Sequence, residues 1–308
     1  VSALVSATPD AWLEHMRAGR WEHAWRVKDA QLEARRDEPC WHWPRHEQYV
    51  WNGDPIDGRR VLVRCYHGLG DTIQFIRYMP LLRERAREVI VWAQPNLLAL
   101  LARVNGIDRL LPLHEGALEA GFDVDLEIME LPHLFRTTID SIPSRVPYLH
   151  ASPLPMPHDR SRVAVGLVWK AGDWDARRSI PYATVRRLFA VGGIDWFILQ
   201  PDAREAGWPG DAGQWPGELN LLDHARALRA MDLLITIDSM PAHMAGALGV
   251  PVWTLLTDDP DWRWMLDRDD SPWYPTMRLF RQRRSGEWGE VIDRVSAELS
   301  GFIQARAG

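Results

Sequence analysis

The chain has little cysteine, no long apolar run and no excess of positive charge, and each shortage removes a class of protein. Of 308 residues only Cys40 and Cys65 carry thiols, in unrelated surroundings. A disulfide framework is therefore excluded, and a reducing compartment, by default the cytoplasm, is expected. No uninterrupted apolar stretch approaches the roughly 18 residues that span a bilayer, and the first residues show no basic region followed by an apolar core. No transmembrane segment or secretion signal is expected, which leaves peripheral membrane contact open. The formal charge of -6 offers no field to a phosphate backbone, so nucleic acid is not an expected partner. Familiar catalytic signatures are missing as well. Gly68 and Gly70 follow the first strand, but Ile73 stands where a dinucleotide fingerprint needs a third glycine, and no Lys-Ser/Thr pair follows as in a P-loop. No Gly-x-Ser-x-Gly elbow occurs. Cys40, His42 and His46 lie near one another without a fourth ligand or a zinc-like spacing, and the Asp-Val-Asp at 123–125 lies inside a strand rather than after one. No metal site is expected.

What is present is a globular composition, with 46% hydrophobic and 25% charged residues, and a length that suits two domains. The 17 tryptophans are an unusual load that bulky cores or sugar-stacking surfaces both explain, with the core taking the larger share. From Ala11 to about Arg36, Trp12, Leu13, Met16, Trp21, Ala24 and Trp25 recur at helical spacing around a break at Gly19. The segment predicts a helical pair. Its "RAGRWEHAW" resembles half of a tetratricopeptide unit, but with no second copy following it reads as a helical cap.

After residue 55, strand and helix signals alternate: "RVLVRCY", a helix from Thr72 to about Arg87, "EVIVWAQ", a helix from Pro95, "FDVDLEI" and a short "LPHLFRTT" helix. A Pro-rich polar stretch, "LHASPLPMPHDRSR", reads as a linker. The alternation then restarts with "RVAVGLVW", a helix from about Pro181, "DWFILQ", a helix near 223–230, "DLLITID", a helix from about Pro241, "VPVWTLL" and a terminal amphipathic helix from Trp288. The expected architecture is α/β, with a helical N-terminal extension over residues 1–55 and two Rossmann-like domains over 56–155 and 156–308.

Four segments carry candidate chemistry. In "YHGLGDTIQF", the glycines let backbone NH groups approach a ligand at a helix start expected near Asp71 or Thr72. Asp71 has two readings, a helix cap and a general base toward an acceptor hydroxyl; His67 and Gln74 are weaker acceptor contacts. In "LLITIDSMPAHMAGALG", a strand delivers Asp238 and Ser239 to a helix whose first turn holds Pro241, with His243 and Gly246 behind. A diphosphate suits that junction; capping and tight helix packing are the alternatives. In "WKAGDWDARRSIP", Lys170 and Arg178, beside Arg177, supply positive charge at a strand end and Ser179 can cap the next helix, against a merely solvated charge run. In "PDWRWMLDRDDSPWYPTMRLFRQ", Trp262, Trp264, Trp273 and Tyr274 suit either stacking on a sugar or base, weakly assigned to Trp262, or, for most of them, sealing the domain interface.

With "GLGDTIQFIRYMPLL", "VGLVW" and "RSIP", "LLITIDSMPAHMAGALGVPVW" and "DWRWMLDRDDSPWYPTMRLFRQ" in this order, the chain from about Trp51 onward resembles the family 9 glycosyltransferases. These are the ADP-heptose:lipopolysaccharide heptosyltransferases, and the likeness is closest to their tetratricopeptide-associated relatives. The resemblance implies a GT-B fold of two facing Rossmann-like domains, an inverting and metal-independent transfer from a nucleotide-diphosphate sugar to a glycan or protein hydroxyl, and no cofactor beyond that co-substrate. It implies Asp71 as base. It implies Arg178, Asp238, Ser239, His243 and Gly246 as donor ligands, to which the reading of the residues themselves adds Gly68, Gly70, Lys170 and Ser179. Ser239, Met240 and Pro241 depart from the family's Thr and small apolar residues, which puts donor identity in question. Two alternatives stay open: a non-catalytic nucleotide-sugar-binding or partner-docking protein, and a sugar-nucleotide epimerase on the same fold.

Overall fold

A computed structural model of the chain describes residues 9–35, 40–116, 118, 120–172 and 175–307. It divides into two compact units: Val1–Ser144 with Asp261–Asp267, and Arg145–Pro260 with Arg268–Gly308.

Unit 1 opens with the helical pair that the sequence spacing predicts, α1 (Pro9–Arg17) and α2 (Trp21–Arg35), parted at Gly19, whose φ of 72° is the left-handed value a tight reversal uses. Then follow β1 (Arg60–Arg64), α3 (Leu69–Phe75), α4 (Met79–Arg85), β2 (Glu88–Ala93), α5 (Leu98–Leu101), β3 (Arg109–Pro112), β4 (Val124–Glu127) and α6 (Leu131–Leu134). The four strands are parallel in the order β3-β2-β1-β4, with Leu62 of β1 between Ile90 and Asp125. β1 and β2 are continuous apolar runs because both faces of a parallel sheet are covered. The helix expected from Thr72 starts a turn earlier, at Leu69, and a 3-10 turn at Ile76–Tyr78 splits it before Pro80 opens α4.

Unit 2 contains β5 (Val163–Leu167), α7 (Tyr182–Val185), β6 (Ile194–Ile198), α8 (Leu221–Leu228), β7 (Leu233–Ile237), α9 (Met240–Ala247), β8 (Val252–Leu256), β9 (Met277–Arg281) and α10 (Trp288–Ala307). Its five strands are parallel in the order β6-β5-β7-β8-β9. Along α10, Trp288, Val291, Ile292, Val295 and Leu299 enter the same core as Val165, Leu167, Ile235 and Trp253. Full burial of each aliphatic side chain is worth roughly 1.5–3 kcal/mol. The Pro-rich stretch expected as a linker carries no regular element and lies within unit 2.

In each unit the strand order reverses once, between β1 and β4 and between β5 and β7. Loops leave such a reversal in opposite directions, so a crevice opens beyond the carboxyl ends of the two strands, and ligands of open α/β sheets lodge there.

Candidate functional site

At the β5/β7 reversal of unit 2, the loop after β5 is tied down by its neighbours. The amides of Trp169 and Lys170 both donate to Gln200 Oε1, at 2.9 and 2.8 Å. Ala171 N donates to Ser179 Oγ at 3.1 Å, and Arg178 Nη1 donates to the carbonyl of Asp238 at 2.9 Å, strapping this loop onto the end of β7. Arg178 Nε is buried without a partner among the described residues. Arg177 turns back onto Asp175 and spends its charge inside the loop. Residues 173 and 174 of the predicted basic segment lie outside the described residues.

From the end of β7, Ser239 enters α9 in an extended conformation, but its hydroxyl makes no cap bond; Pro241 occupies the first turn. A cavity of about 410 Å³ opens here, lined by Lys170, Gln200, Asp202, Glu205, Ser239 and Pro241 among others. Lys170, after β5, and Ser239, after β7, line this one cavity, with Arg178 anchored beside them. Asp238 is buried, and Ser179 serves to close the loop. His243 and Gly246 do not line this cavity. His243 Nδ1 lies 3.0 Å from the Tyr274 hydroxyl, and a Cβ on Gly246 would fall 2.3 Å from the Tyr274 ring, so that glycine is what lets the ring pack against α9. Asp202 and Glu205 escape sequence reading because no local pattern marks a loop acid as facing a cavity.

At the β1/β4 reversal of unit 1, Asp71 is the third residue of α3. Its Oδ2 accepts from Gly68 N at 2.9 Å, the return half of a capping box, and its Oδ1 accepts from the Arg263 guanidinium. A Cβ on Gly68 would stand 3.1 Å from that carboxylate. Asp71 nevertheless keeps 24% of its side chain exposed. Gly70 lies in the first turn of the same helix, so both glycines expected near a diphosphate belong to unit 1. Arg263 also donates to Asp261 Oδ1 at 2.8 Å and to Gln74 Oε1 at 2.7 Å. Gln74 is therefore buried and bound to Arg263. Trp262 stacks on Phe75 at 6.4 Å and 14° and takes the edge of Trp12 at 5.5 Å, one buried member of an aromatic cluster.

His67 Nδ1 lies 2.9 Å from Glu127 Oε1 at the end of β4. Burial opposes the imidazolium, but the Glu127 and Asp71 carboxylates outweigh it and raise the His67 pKa above its ordinary value. Glu127 is held in turn by Tyr66 N at 3.2 Å and Met129 N at 2.6 Å. Glu130 accepts from Glu127 N at 2.7 Å and Trp51 N at 3.0 Å, yet burial pushes its carboxyl from 4.5 up to about 8. An acid raised in the fold holds its proton where the unfolded chain has lost it, so folding stability falls as pH rises from about 4.5 to about 8. Glu130→Gln should flatten that fall, read as urea midpoints at pH 5 and pH 8; an unchanged pH slope would contradict the protonated state.

His67, Glu127 and Trp262 line a second cavity, of about 500 Å³, whose wall also includes Trp25, Trp43 and Trp51. The sequence places Trp25 on the helical cap and Trp262 as a weak sugar-stacking residue, and marks neither Trp43 nor Trp51. The telling signal lies in α2, where Trp21, Trp25, Lys28, Leu32 and Arg35 share one helical face and two cations interrupt an apolar stripe. Cys40 is buried and donates its thiol to the Tyr49 carbonyl. Among the described residues no group of three or more His, Cys, Asp or Glu is placed to hold a metal ion, and no helix is long and apolar enough to cross a membrane.

No protein-family model matches the chain. It is 24% identical over 333 residues to protein FlbA of Caulobacter vibrioides, an alignment covering 92% of this chain and 53% of FlbA, so the chain spans about half the length of that relative. Among solved structures, a glycosyl transferase family 9 protein from Veillonella parvula superposes with a TM-score of 0.55 at 14% identity, over 78% of this chain and 91% of that one. ADP-heptose lps heptosyltransferase II of E. coli gives a TM-score of 0.55 at 15% identity, over 81% of this chain and 100% of the enzyme. The fold is that of the GT-B heptosyltransferases, with a Rossmann-like sheet in each unit.

Proposed function

We propose that this protein is an inverting, metal-independent glycosyltransferase that moves a sugar from a nucleotide-diphosphate donor to a hydroxyl of a glycan or protein, and that it acts in the cytoplasm. The observation that carries the reading is the cavity at the β5/β7 reversal, where Lys170, Ser239 and the first turn of α9 meet, with Arg178 strapped beside them. Backbone NH groups of a helix start and two side-chain cations suit a diphosphate. Asp202 and Glu205, on the same wall, are placed to accept hydrogen bonds from ribose or sugar hydroxyls.

In this mechanism the acceptor hydroxyl loses its proton to Asp71 as its oxygen displaces the diphosphate from the anomeric carbon. Lys170, Arg178, the Ser239 hydroxyl and the Met240 amide at the start of α9 stabilise the departing charge, usually the largest contribution in such a step. One observation favours a non-catalytic nucleotide-sugar binder instead: both oxygens of Asp71 already accept a hydrogen bond. An ionised carboxylate offers about four acceptor sites, so the base role keeps room for a substrate hydroxyl.

A thermal-shift panel of ADP-, GDP-, UDP- and dTDP-sugars tests the reading. One nucleotide class should stabilise the chain, by roughly 2.7 kcal/mol at a hundred times its dissociation constant, and the double variant Lys170→Ala, Arg178→Ala should lose that response. Silence across the panel would contradict the proposal.

A further inference from the structure

The unit 1 cavity has an imbalance of hydrogen-bonding groups. Three donors on its helical wall have no acceptor among the described residues. Trp12 Nε1 and Arg35 Nη1 are buried without partners, and the Lys28 ammonium, which makes no ion pair, sits 5.1 Å over the Trp12 ring and 5.8 Å over the Tyr49 ring. The Arg35 guanidinium lies 4.0 Å over the same Tyr49 ring. The carboxylates of the cavity, in contrast, face other groups. Glu127 accepts from two backbone amides and lies 2.9 Å from His67 Nδ1, Glu130 accepts from two further amides, and Glu47 stands 3.5 Å from His46.

Unpaired cations under partial burial cost free energy that a structural role would not tolerate without return. The surrounding indole and phenol rings offer flat apolar faces, which match the CH faces of a sugar ring, and about 500 Å³ is room for one or two such rings. We infer that this cavity binds a saccharide bearing an anionic group, a carboxylate or a phosphate, with the anion against Lys28, Arg35 and the Trp12 indole NH and the ring against the tryptophans. Only its role as acceptor site rests on the glycosyltransferase reading; the binding itself does not. The helical pair is then a working wall of the site, and Lys28 and Arg35 set its preference for charge. Burial lowers the Lys28 pKa against the opposing Glu130 carboxylate, with Arg35 adding to the fall, and a bound anion would work in the direction of Glu130.

The test uses the full chain, with tryptophan fluorescence and thermal shift as readouts and glucuronate, glucose 6-phosphate, glucose and inorganic phosphate as probes. Glucuronate or glucose 6-phosphate should bind at least ten times more tightly than glucose and than inorganic phosphate, and whichever of the two prevails identifies the anion. Lys28→Met and Arg35→Met should each weaken that binding at least tenfold while the melting temperature of the unliganded chain holds or rises, because an unpaired buried cation is removed. A structural role would lower it. The inference is overturned if neither charged sugar binds, if glucose binds as well, or if both variants bind like the wild type. The nucleotide-sugar panel on the same variants separates the two claims. Donor stabilisation without charged-sugar binding removes this inference alone, and the converse removes the transferase reading and leaves the site.

Discussion

Asp71→Asn lowers glycosyl transfer by about 10²–10⁴-fold, the usual contribution of a positioned base, and leaves the nucleotide-sugar thermal shift as it is in the wild type. The substitution is nearly isosteric. An amide oxygen can still accept from Gly68 N or from Arg263, but it carries no charge and takes up no proton. Donor binding should be unaffected, because the groups proposed to hold the donor, Lys170, Arg178 and Ser239, all belong to unit 2. Some loss of stability accompanies the change, since Arg263 is only 8% exposed and loses one of its two carboxylates while keeping Asp261. The rate and the melting curve therefore have to be read together. A folded Asp71→Asn chain with wild-type turnover would return Asp71 to the capping role alone.

Arg263→Ala is expected to be the most destabilising single change in unit 1. The guanidinium binds Asp71, Asp261 and Gln74 at once and lies 4.9 Å from the Trp262 ring centroid. Its removal leaves two carboxylates with only their backbone NH donors and a buried amide oxygen without its guanidinium. The cost should be about 3 kcal/mol, the lower end for breaking a buried ion pair, because Asp71 and Asp261 keep some access to water. For a unit of this size that is a fall in melting temperature of roughly 6–12 °C, measured by calorimetry. Arg263→Lys should recover only part of it, since an ammonium cannot serve three planar contacts together. A melting temperature within a degree or two of wild type would show that the pair contributes little.

The strands read most plainly from the sequence are those whose burial is continuous, while β4 and β6, each with one half-buried residue, are legible from their alternation with helices. β1, β2, β5, β7 and β8 are apolar runs ended by polar or glycine residues, and a parallel sheet covered on both faces demands that pattern. β3 carries no such run, because it lies at the sheet edge with Arg109 and Pro112 exposed. β9 is masked by its setting, two arginines around Leu279 and Phe280 after a segment dense in aromatics. The early start of α3 has a local explanation. Gly68 has no side chain to advertise a cap, and the signal lay three residues on, in the acid of the capping box.

The candidate sites divide the same way. Lys170 and Ser239 were legible because strand-to-helix junctions in α/β sheets collect ligand groups by topology. The link from Asp71 to Arg263 spans 192 residues and leaves no local trace. The aromatic cavity hid in plain composition: 17 tryptophans do not announce which of them face a cavity rather than a core. His243 and Gly246 lie at the right junction, but a helix turns successive residues through about 100°, and the face they present is the one Tyr274 covers.

Hydrogen exchange of the full chain, with and without the nucleotide sugar that stabilises it, bears on the donor seat more directly than any substitution. Bound donor should slow the amides of Gly172 after β5 and of Ser239 and Met240 after β7 before those of any other segment, since the Lys170 and Ala171 amides are already bonded to Gln200 and Ser179. Protection confined to unit 1, or spread through unit 2 with those three amides unchanged, would contradict a diphosphate seat at the β5/β7 reversal.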